Sequence, residues 1–413
     1  MSDVVVGLDI GTSRIRAVIG DVTEAGVFQI TGVGTSPSTG LRKGVVVNIE
    51  NTVRAISQAI EAAELMSGTE VSRCMIGVGG THIDGLNSRG VVAVTSKGRD
   101  NRVIGPEDIV RVIDAAKAVV IPMDRQVLHV IPQSYIVDDE RGIKDPKNMI
   151  GVRLEAEVHI VTASVTSVQN LVKCVNRAEL SVDEYMLHPL AAAQAVMSAE
   201  ERDLGSILID LGGGTTDVIV FADGAPLLTT VIPVGGIQVT NDISVVKGIS
   251  LETAERIKLD AGCCWAGLIE ENEDVILPGV GGRPPVVIPR SEICEIIQPR
   301  MEEIFNIIRS KIEPVLKSRQ LSGNVVITGG GAQLSGVVEL AASIFNTQAV
   351  RIGIPGNFGG IIGEYRGPDY ATVMGLVIAA HERHAAEVRE SPPAETTVKP
   401  LMNRLKGWLK EFF

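Results

Sequence analysis

Aromatic residues are scarce in this chain: Phe, Trp and Tyr make up 3% of its 413 positions. Its five cysteines, Cys74, Cys174, Cys263, Cys264 and Cys294, are odd in number and include no CxxC pair. That excludes a disulfide framework and a zinc-finger spacing, and fits a reducing compartment. Net positive charge is missing too. A balance of -12 argues against general nucleic-acid binding, which needs clustered Lys and Arg to neutralise phosphates. No apolar run reaches the roughly 18 residues of a membrane-spanning helix. The first residues, MSDVVVGLDIGT, carry an aspartate where a secretory signal has its basic head, so a cytoplasmic protein is expected. No Walker lysine motif is present, which excludes a P-loop nucleotide site.

What the chain does have is glycine, 44 residues of it, much of it in turns after apolar runs. Its length predicts two or more domains. Residues 4–11 (VVVGLDIG) read as a buried strand that ends in Gly-Thr-Ser-Arg and returns as a second strand over 15–20. Residues 206–221 (SILIDLGGGTTDVIVF) repeat this arrangement about 200 residues later, which predicts a duplicated architecture rather than a short-period solenoid. Val53, Ile56, Ile60 and Ala63 mark one face of a helix after the first unit. Residues 84–162 read as an insertion, with strands at 90–95, 127–130 and 155–161. Its single helix, near 107–120, carries Ile109, Ile113, Ala116 and Val120 in a stripe. A second insertion, 236–319, reads as mostly helical with a Gly/Pro-rich bend, GVGGRPP, at 279–285. Residues 325–336 (VVITGGGAQLSG) read as strand, glycine turn and helix. Beyond a helix that runs to 388, RESPPAETTVKP has the composition of a linker, and the last thirteen residues turn apolar again.

Turns of Gly, Ser and Thr present successive backbone N–H groups to an anion. Gly11, Thr12, Ser13 and Arg14 from the first turn, and Gly212, Gly213, Gly214, Thr215 and Thr216 from the second, are therefore expected to clamp a polyphosphate. Asp9 and Asp210 stand at the strand ends. They are expected to hold Mg²⁺ through water, because magnesium dehydrates reluctantly and takes one or two carboxylates plus phosphates. Asp217 is placed to help. Each turn alone is compatible with an ordinary tight hairpin; their order along the chain is the specific signal. GVGGTH near residue 77 reads as a strand-end turn, His381 and His384 as a solvated face, and Cys263–Cys264 as packing.

The succession of DxGT hairpin, DxGGGTTD hairpin and strand-GGG-helix resembles the superfamily of actin, sugar kinases and heat-shock chaperones. That resemblance implies a duplicated actin-like (ribonuclease H-like) α/β fold, with two lobes around a cleft for ATP or ADP and Mg²⁺. It also implies that Gly329, Gly330, Gly331 and Gln333 pack on adenine and ribose, and that the small residues of 188–196 and 372–380 pack between the halves. Across nearly the whole chain, segments such as VLHVIPQSYIVDD, GVRLEAEVHIVT, DLGSILIDLGGGTTDV, AERIKLDAG and IIQPRMEEI are similar to the FtsA family of bacterial cell-division proteins. The family resemblance implies a first core domain of 1–83, 163–199 and 371–388, with the FtsA-type small domain at 84–162. The second core domain is then 200–235 and 320–370, and its helical small domain is 236–319. Glu255 and Lys258, three apart on one helical face, are expected beside the ribose. Arg300 and Glu303 are expected to receive the C-terminal peptide of the tubulin-like protein FtsZ, a solvated charged face being the alternative. Self-association into filaments, contacts with other division proteins and weak ATPase activity are also implied. One position departs from the pattern. His188 stands where many ATP-hydrolysing relatives use Glu or Gln to position water, so it either orients water or is structural.

If residues 401–413 form a helix, Leu401, Leu405, Trp408, Leu409 and Phe412 share a stripe, with Met402 and Phe413 at its edges. Arg404, Lys406 and Lys410 flank it against Glu411 alone. A basic amphipathic helix of this kind suits the plane of an anionic membrane surface, while docking on the protein's own core is the alternative. The preceding linker favours the membrane. So does the crowding of Trp408, Phe412 and Phe413 at the end of a chain with only 2 Trp, 4 Tyr and 7 Phe. The expected location is thus peripheral, on the cytoplasmic side of the cell membrane at the division site. A pilus-assembly ATPase of the same superfamily and a small-molecule kinase on the same fold are the competing readings. The first typically lacks such a tail. The second needs a base aspartate that the sequence does not reveal.

Overall fold

Apolar strands separated by glycine turns build two sheets of matching topology. The computed structural model describes residues 4–22, 28–94, 102–270, 273–279, 284–318, 321–356, 358–360 and 363–390. The first lobe begins with β1 (Val5–Ile10), buried at every position, which turns into antiparallel β2 (Arg14–Val22) and then β3 (Phe28–Pro37). A short hairpin of β4 (Leu41–Arg42) and β5 (Val45–Val46) leads into α1 (Ile49–Ser67). The Asn48 side chain caps α1 by accepting from the Asn51 amide, and Gly68 ends it in the left-handed conformation. Its apolar stripe, Ala55, Ile56, Ala59, Ile60 and Ala63, is buried in the first core. β6 (Arg73–Val78) then pairs parallel to β1.

The insertion is a unit with its own core. It comprises β7 (Asp84–Ala93), α2 (Pro106–Lys117), β8 (Arg125–Val137), β9 (Glu140–Ile143) and β10 (Arg153–Ser164), in sheet order β7-β10-β8-β9. Val112, Ile113 and Ala116 of α2 are buried against Tyr135, Leu154, Val158 and Ile160. Three details differ from the sequence reading. β7 starts at Asp84, well before residue 90. β8 runs on to Val137 rather than stopping near 130, because a register shift between Glu157 and Val158 accommodates Pro132 opposite Val158. The helix stops at Lys117, so Val120 leaves the stripe and is 95% exposed. Val119, Val120 and Ile121 are β-branched and precede Pro122, a run that disfavours further helix.

After the insertion come α3 (Val165–Arg177), β11 (Ser181–Leu187), α4 (His188–Val196) and α5 (Ala199–Leu204). The second lobe follows with β12 (Ile207–Leu211), β13 (Thr216–Ala222) and β14 (Ala225–Ile232). Next are α6 (Gly236–Lys247), α7 (Leu251–Ala261), the hairpin β15 (Asp274–Leu277) and β16 (Val286–Pro289), and the long α8 (Arg290–Ser318). The second insertion is thus helical with one hairpin, which the sequence reading lacked; residues 280–283 of its bend lie outside the described residues. β17 (Val325–Thr328), α9 (Val337–Phe345), β18 (Val350–Ile352), β19 (Gly359–Gly360) and α10 (Ala371–Glu390) complete the chain's described part.

The duplication is visible strand for strand. One sheet contains the order β3-β2-β1-β6-β11 and the other β14-β13-β12-β17-β18. In each, the first three strands are antiparallel and the last two join in parallel. α10 leaves the second lobe and packs back onto the first, with Val373, Met374 and Val377 buried against Val5, Val18 and Ile30. His381, read as solvated, instead stacks on Phe28 with ring centroids 4.5 Å apart. Cys263 and Cys264 are fully buried, as packing residues would be.

Candidate functional site

The matching topology carries β1 and β12 into one cleft of about 870 Å³ between the sheets. Asp9 faces Arg16 across the β1–β2 register, and Asp210 faces Asp217 across β12–β13. The first turn is closed by the Gly11 amide donating to the Arg14 carbonyl at 3.1 Å. The two turns meet tip to tip. A Cβ on Gly213 would lie 2.0 Å from Ser13 Oγ, and one on Gly214 would lie 2.7 Å from Thr12 Cγ2. A side chain at either glycine would therefore have to displace Ser13 or Thr12 of the other lobe, quite apart from any ligand. The Gly236 and Ile237 amides at the start of α6 donate to the Gly212 and Gly213 carbonyls, both at 2.9 Å, and lock the second turn.

Behind the turns sit three buried carboxylates, Asp9, Asp210 and Asp217. Thr372 donates its hydroxyl to Asp210 and Thr215 donates to Asp217 Oδ2, each at 3.1 Å, but Asp217 Oδ1 is buried without a partner. Burial, reinforced by the charges of Asp217 and Asp9, pushes the Asp210 carboxyl up to about 7. Burial also raises Asp217. His188, at the start of α4, places Nε2 3.5 Å from Asp9 Oδ1 without making a hydrogen bond. The cluster is short of positive charge. Among the described residues, however, no group of three or more His, Cys, Asp or Glu is arranged to hold a metal ion directly.

Of the residues expected at the site, Gly11, Thr12, Ser13, Arg14, Gly212, Gly213, Gly214 and Thr215 all line the cleft, as do Glu255, Lys258, Gly329, Gly330, Gly331 and Gln333. Thr216 does not. It is the first residue of β13, fully buried, and its hydroxyl is spent on the Val234 carbonyl at 2.8 Å. Lys258 is more than a surface partner of Glu255. Its ammonium donates to Glu255 Oε2 (2.7 Å), Thr240 Oγ1 (2.9 Å) and the Gly236 carbonyl (3.2 Å), tying α7 to α6. Gln333 Nε2 is engaged with Asp369 Oδ1 at 2.7 Å. The sequence reading missed Arg16, Gly44, Asp369 and Tyr370 and took Gly79 and Gly80 only as a strand-end turn; all six also line the cleft. Gly79 and Gly80 carried a local signal in their glycine run, and Arg16 did too, since the hairpin register sets it opposite Asp9.

Arg300 and Glu303 lie outside the cleft. Arg300 donates to both Asp242 oxygens on α6, at 2.6 and 3.1 Å, and to Glu303. Beside them a groove of about 570 Å³ runs between α6 and α8, lined by Asp242, Val246, Lys247, Glu292, Glu295 and Ile296. Leu401, Arg404, Leu405, Lys406, Trp408, Leu409, Lys410, Phe412 and Phe413 lie outside the described residues. No described helix is long and apolar enough to cross a membrane.

A family model for the cell division protein FtsA matches residues 207–375, and one for the SHS2 domain inserted in FtsA matches residues 80–162. The cell division protein FtsA of Borreliella burgdorferi is 45% identical over 414 residues, covering 100% of this chain and 99% of the relative. That of Escherichia coli K12 is 38% identical over 419 residues, covering 99% and 98%. The chain belongs to the FtsA family of cell division proteins. Among solved structures, the PilM-PilN type IV pilus biogenesis complex matches with a TM-score of 0.65 at 17% identity, covering 91% of this chain and 98% of that one. MreB5 of Spiroplasma citri, bound to ADP, matches with a TM-score of 0.56 at 13% identity, covering 94% and 99%. Both likenesses are of fold: this FtsA-family chain is an actin-like α/β protein with an inserted SHS2 domain.

Proposed function

We propose that this FtsA-family chain binds ATP or ADP with hydrated Mg²⁺ in the interlobe cleft, and in that state assembles into filaments on the inner face of the cytoplasmic membrane. There it tethers FtsZ filaments and helps recruit later division proteins. The observation that carries the nucleotide reading is the pair of hairpin turns meeting tip to tip in front of three buried, under-neutralised carboxylates. The partnerless Asp217 Oδ1 and the raised Asp210 fit a cation held through water by Asp9 and Asp210. When bound, Mg²⁺ supplies charge neutralisation for the phosphates. The chain's own residues do the rest. The turns hold phosphate oxygens with backbone amides, Gly329, Gly330 and Gly331 border the base and ribose, and Glu255 with Lys258 closes the sugar side. His188, next to Asp9, is placed to orient a water, and turnover is expected to be slow.

Arg300 and Glu303, beside the α6–α8 groove, are proposed to receive the FtsZ C-terminal peptide. The tail 401–413 is proposed as the lipid contact. A large apolar side chain contributes roughly 1.5–3 kcal/mol when fully buried, but here burial is partial and the helix must first be ordered. Each basic residue near an anionic surface adds about 1 kcal/mol. The net is a reversible anchor of roughly a few kcal/mol, so filament formation strengthens attachment through effective concentration. Sedimentation with anionic liposomes and ATP tests the anchor, comparing the full chain, a chain ending before Lys399, and Trp408→Glu. Equal sedimentation of all three defeats it. Asp210→Ala and Gly213→Val should abolish nucleotide retention, and unchanged ATP affinity in both would defeat the cleft assignment.

A further inference from the structure

His188 is held from two sides by residues that none of the expected contacts includes. It is the first residue of α4, and the residue before it, Leu187, caps that helix without a side-chain hydrogen bond. Leu187 is also the last residue of β11, the edge strand of its sheet, so its outer backbone groups face no further strand. There the inserted domain supplies the missing partner. His129 Nε2, on β8, accepts the Leu187 amide at 3.0 Å. Leu187 is fully buried and His129 is 6% exposed, so solvent does not stand in for that bond. The ring of His188 is seated just as closely. A Cβ on Gly79 would lie 2.4 Å from its Nδ1, and one on Gly77 would lie 2.6 Å from its Cδ2 and 2.7 Å from its Nε2. Gly77, near the end of β6, and Gly79, just past it, form a flat shelf across which the imidazole lies.

Held this way, His188 keeps Nε2 at 3.5 Å from Asp9 Oδ1, buried and with no hydrogen-bond partner. An unpartnered nitrogen at the cleft wall has capacity for a water, and its aim is set by what lies behind it. We infer that His129, Gly77 and Gly79 are positioning residues for His188: the inserted domain fixes the start of α4 through His129, and the glycine shelf fixes the ring. This rests on the reading of His188 as a water-orienting residue of the nucleotide cleft, and it adds how that residue is regulated. The inserted domain also holds the second lobe. Asn87 and Gln133 donate to the Leu227 and Pro226 carbonyls of β14, at 2.9 and 2.7 Å, and His159 meets Thr229 of that strand at 3.0 Å. One unit with its own core thus touches the edge of the second sheet and the residue next to His188. A tilt of the inserted domain against β14 is carried to α4 through His129. Turnover follows the seating of that domain, while phosphate binding, which uses the glycine turns, does not.

The test is steady-state ATP hydrolysis by the full-length protein at fixed Mg²⁺, read beside ATP affinity from equilibrium titration. His129→Leu removes the acceptor and leaves an apolar side chain in its place. It should lower kcat on the order of tenfold, as when a reacting group loses its placement, and change ATP affinity by less than about twofold. His129→Gln, whose amide oxygen can accept the Leu187 N–H, should restore most of the rate. In a His188→Ala background, His129→Leu should cost nothing further. The shelf is read by melting temperature as well as by rate. Gly79→Ala should lower both in the parent, and its effect on melting should shrink in the His188→Ala background, where the three atoms nearest the added methyl are gone. A His129→Leu protein that turns over like the parent overturns the assignment of His129, as does an equal loss of rate in both backgrounds. A His129→Gln protein no faster than His129→Leu overturns the role of the hydrogen bond. Gly79→Ala as harmful to melting without the His188 ring as with it overturns the shelf. A parent protein that binds no ATP, or binds it and never hydrolyses it, defeats instead the reading on which all of this stands, so the failures are separable.

Discussion

Gly375 offers a severe test of the helix packing behind the cleft. It lies on α10 where that helix crosses α4, and a Cβ there would sit 1.7 Å from the Ala191 carbonyl oxygen and 2.3 Å from its carbon. On a solvent-facing helix, Gly→Ala stabilises by about 1 kcal/mol. Here the new methyl meets backbone that no rotamer change can move aside. Restoring ordinary contact at 3.4 Å requires the two helices to part by roughly 1.7 Å. Ala191, Leu376 and Val377 around the crossing are fully buried, so the separation opens packing on both sides. Overpacking costs about 1–3 kcal/mol, and a backbone block belongs at the upper end, leaving a net loss of about 2 kcal/mol after the propensity gain. Urea denaturation should show the transition that reports on the first lobe shifted down accordingly, with α4 and α10 amides exchanging faster. Because α4 begins at His188, ATP affinity should fall as well. Gly356→Ala, where an added Cβ meets nothing within 4 Å, is the control and should be near neutral. A Gly375→Ala protein as stable as the parent would refute the reasoning.

Acid should destabilise the protein through two buried histidines. His129 accepts the Leu187 amide at 3.0 Å, His159 sits between Asn87 (2.7 Å) and Thr229 (3.0 Å), and burial lowers both to about 4. The unfolded chain takes up those protons near pH 6.5, so stability present above that pH is lost as pH falls toward 4, at up to about 1.4 kcal/mol per pH unit for each histidine. Urea melts at pH 7 and 5 should show this, and His159→Gln should remove its own share of the dependence while leaving that of His129. Asp210 has the opposite sign: its stability is full below an unfolded value near 4 and is lost as pH rises through about 7. Asp210→Asn should therefore stabilise the ligand-free chain at pH 8 and not at pH 5, and a thermal melt unchanged at pH 8 would count against it. If Gly213 is required by lobe contact, Gly213→Ala should weaken nucleotide binding and Ser13→Gly added to it should restore part of the loss. No rescue would assign the glycine to the ligand alone.

What the sequence made legible was whatever depends on neighbours in the chain. An apolar run, a short glycine turn and a second β-branched apolar run read as a hairpin, and two such hairpins, 4–20 and 206–221, were enough to expose the duplication. Side-chain direction was harder, because it depends on register: a one-residue difference in a strand decides the face. That is why Thr215, still in the turn, reaches the cleft, while Thr216, first in β13, turns its hydroxyl to Val234. Contacts between distant segments left no local trace. Arg16 and Asp369 are 353 positions apart, and neither stands in a glycine turn. The glycines themselves show the limit most clearly. Gly213 and Gly214 attract notice as an anion nest, yet a side chain at either would strike Ser13 or Thr12 of the other lobe before any ligand arrived. Closing the lobes and exposing amides to phosphate both favour the absence of a side chain at the same two positions. A pattern that can hold phosphate in this architecture is therefore one that must also let the lobes touch, and the sequence displays the two requirements as one.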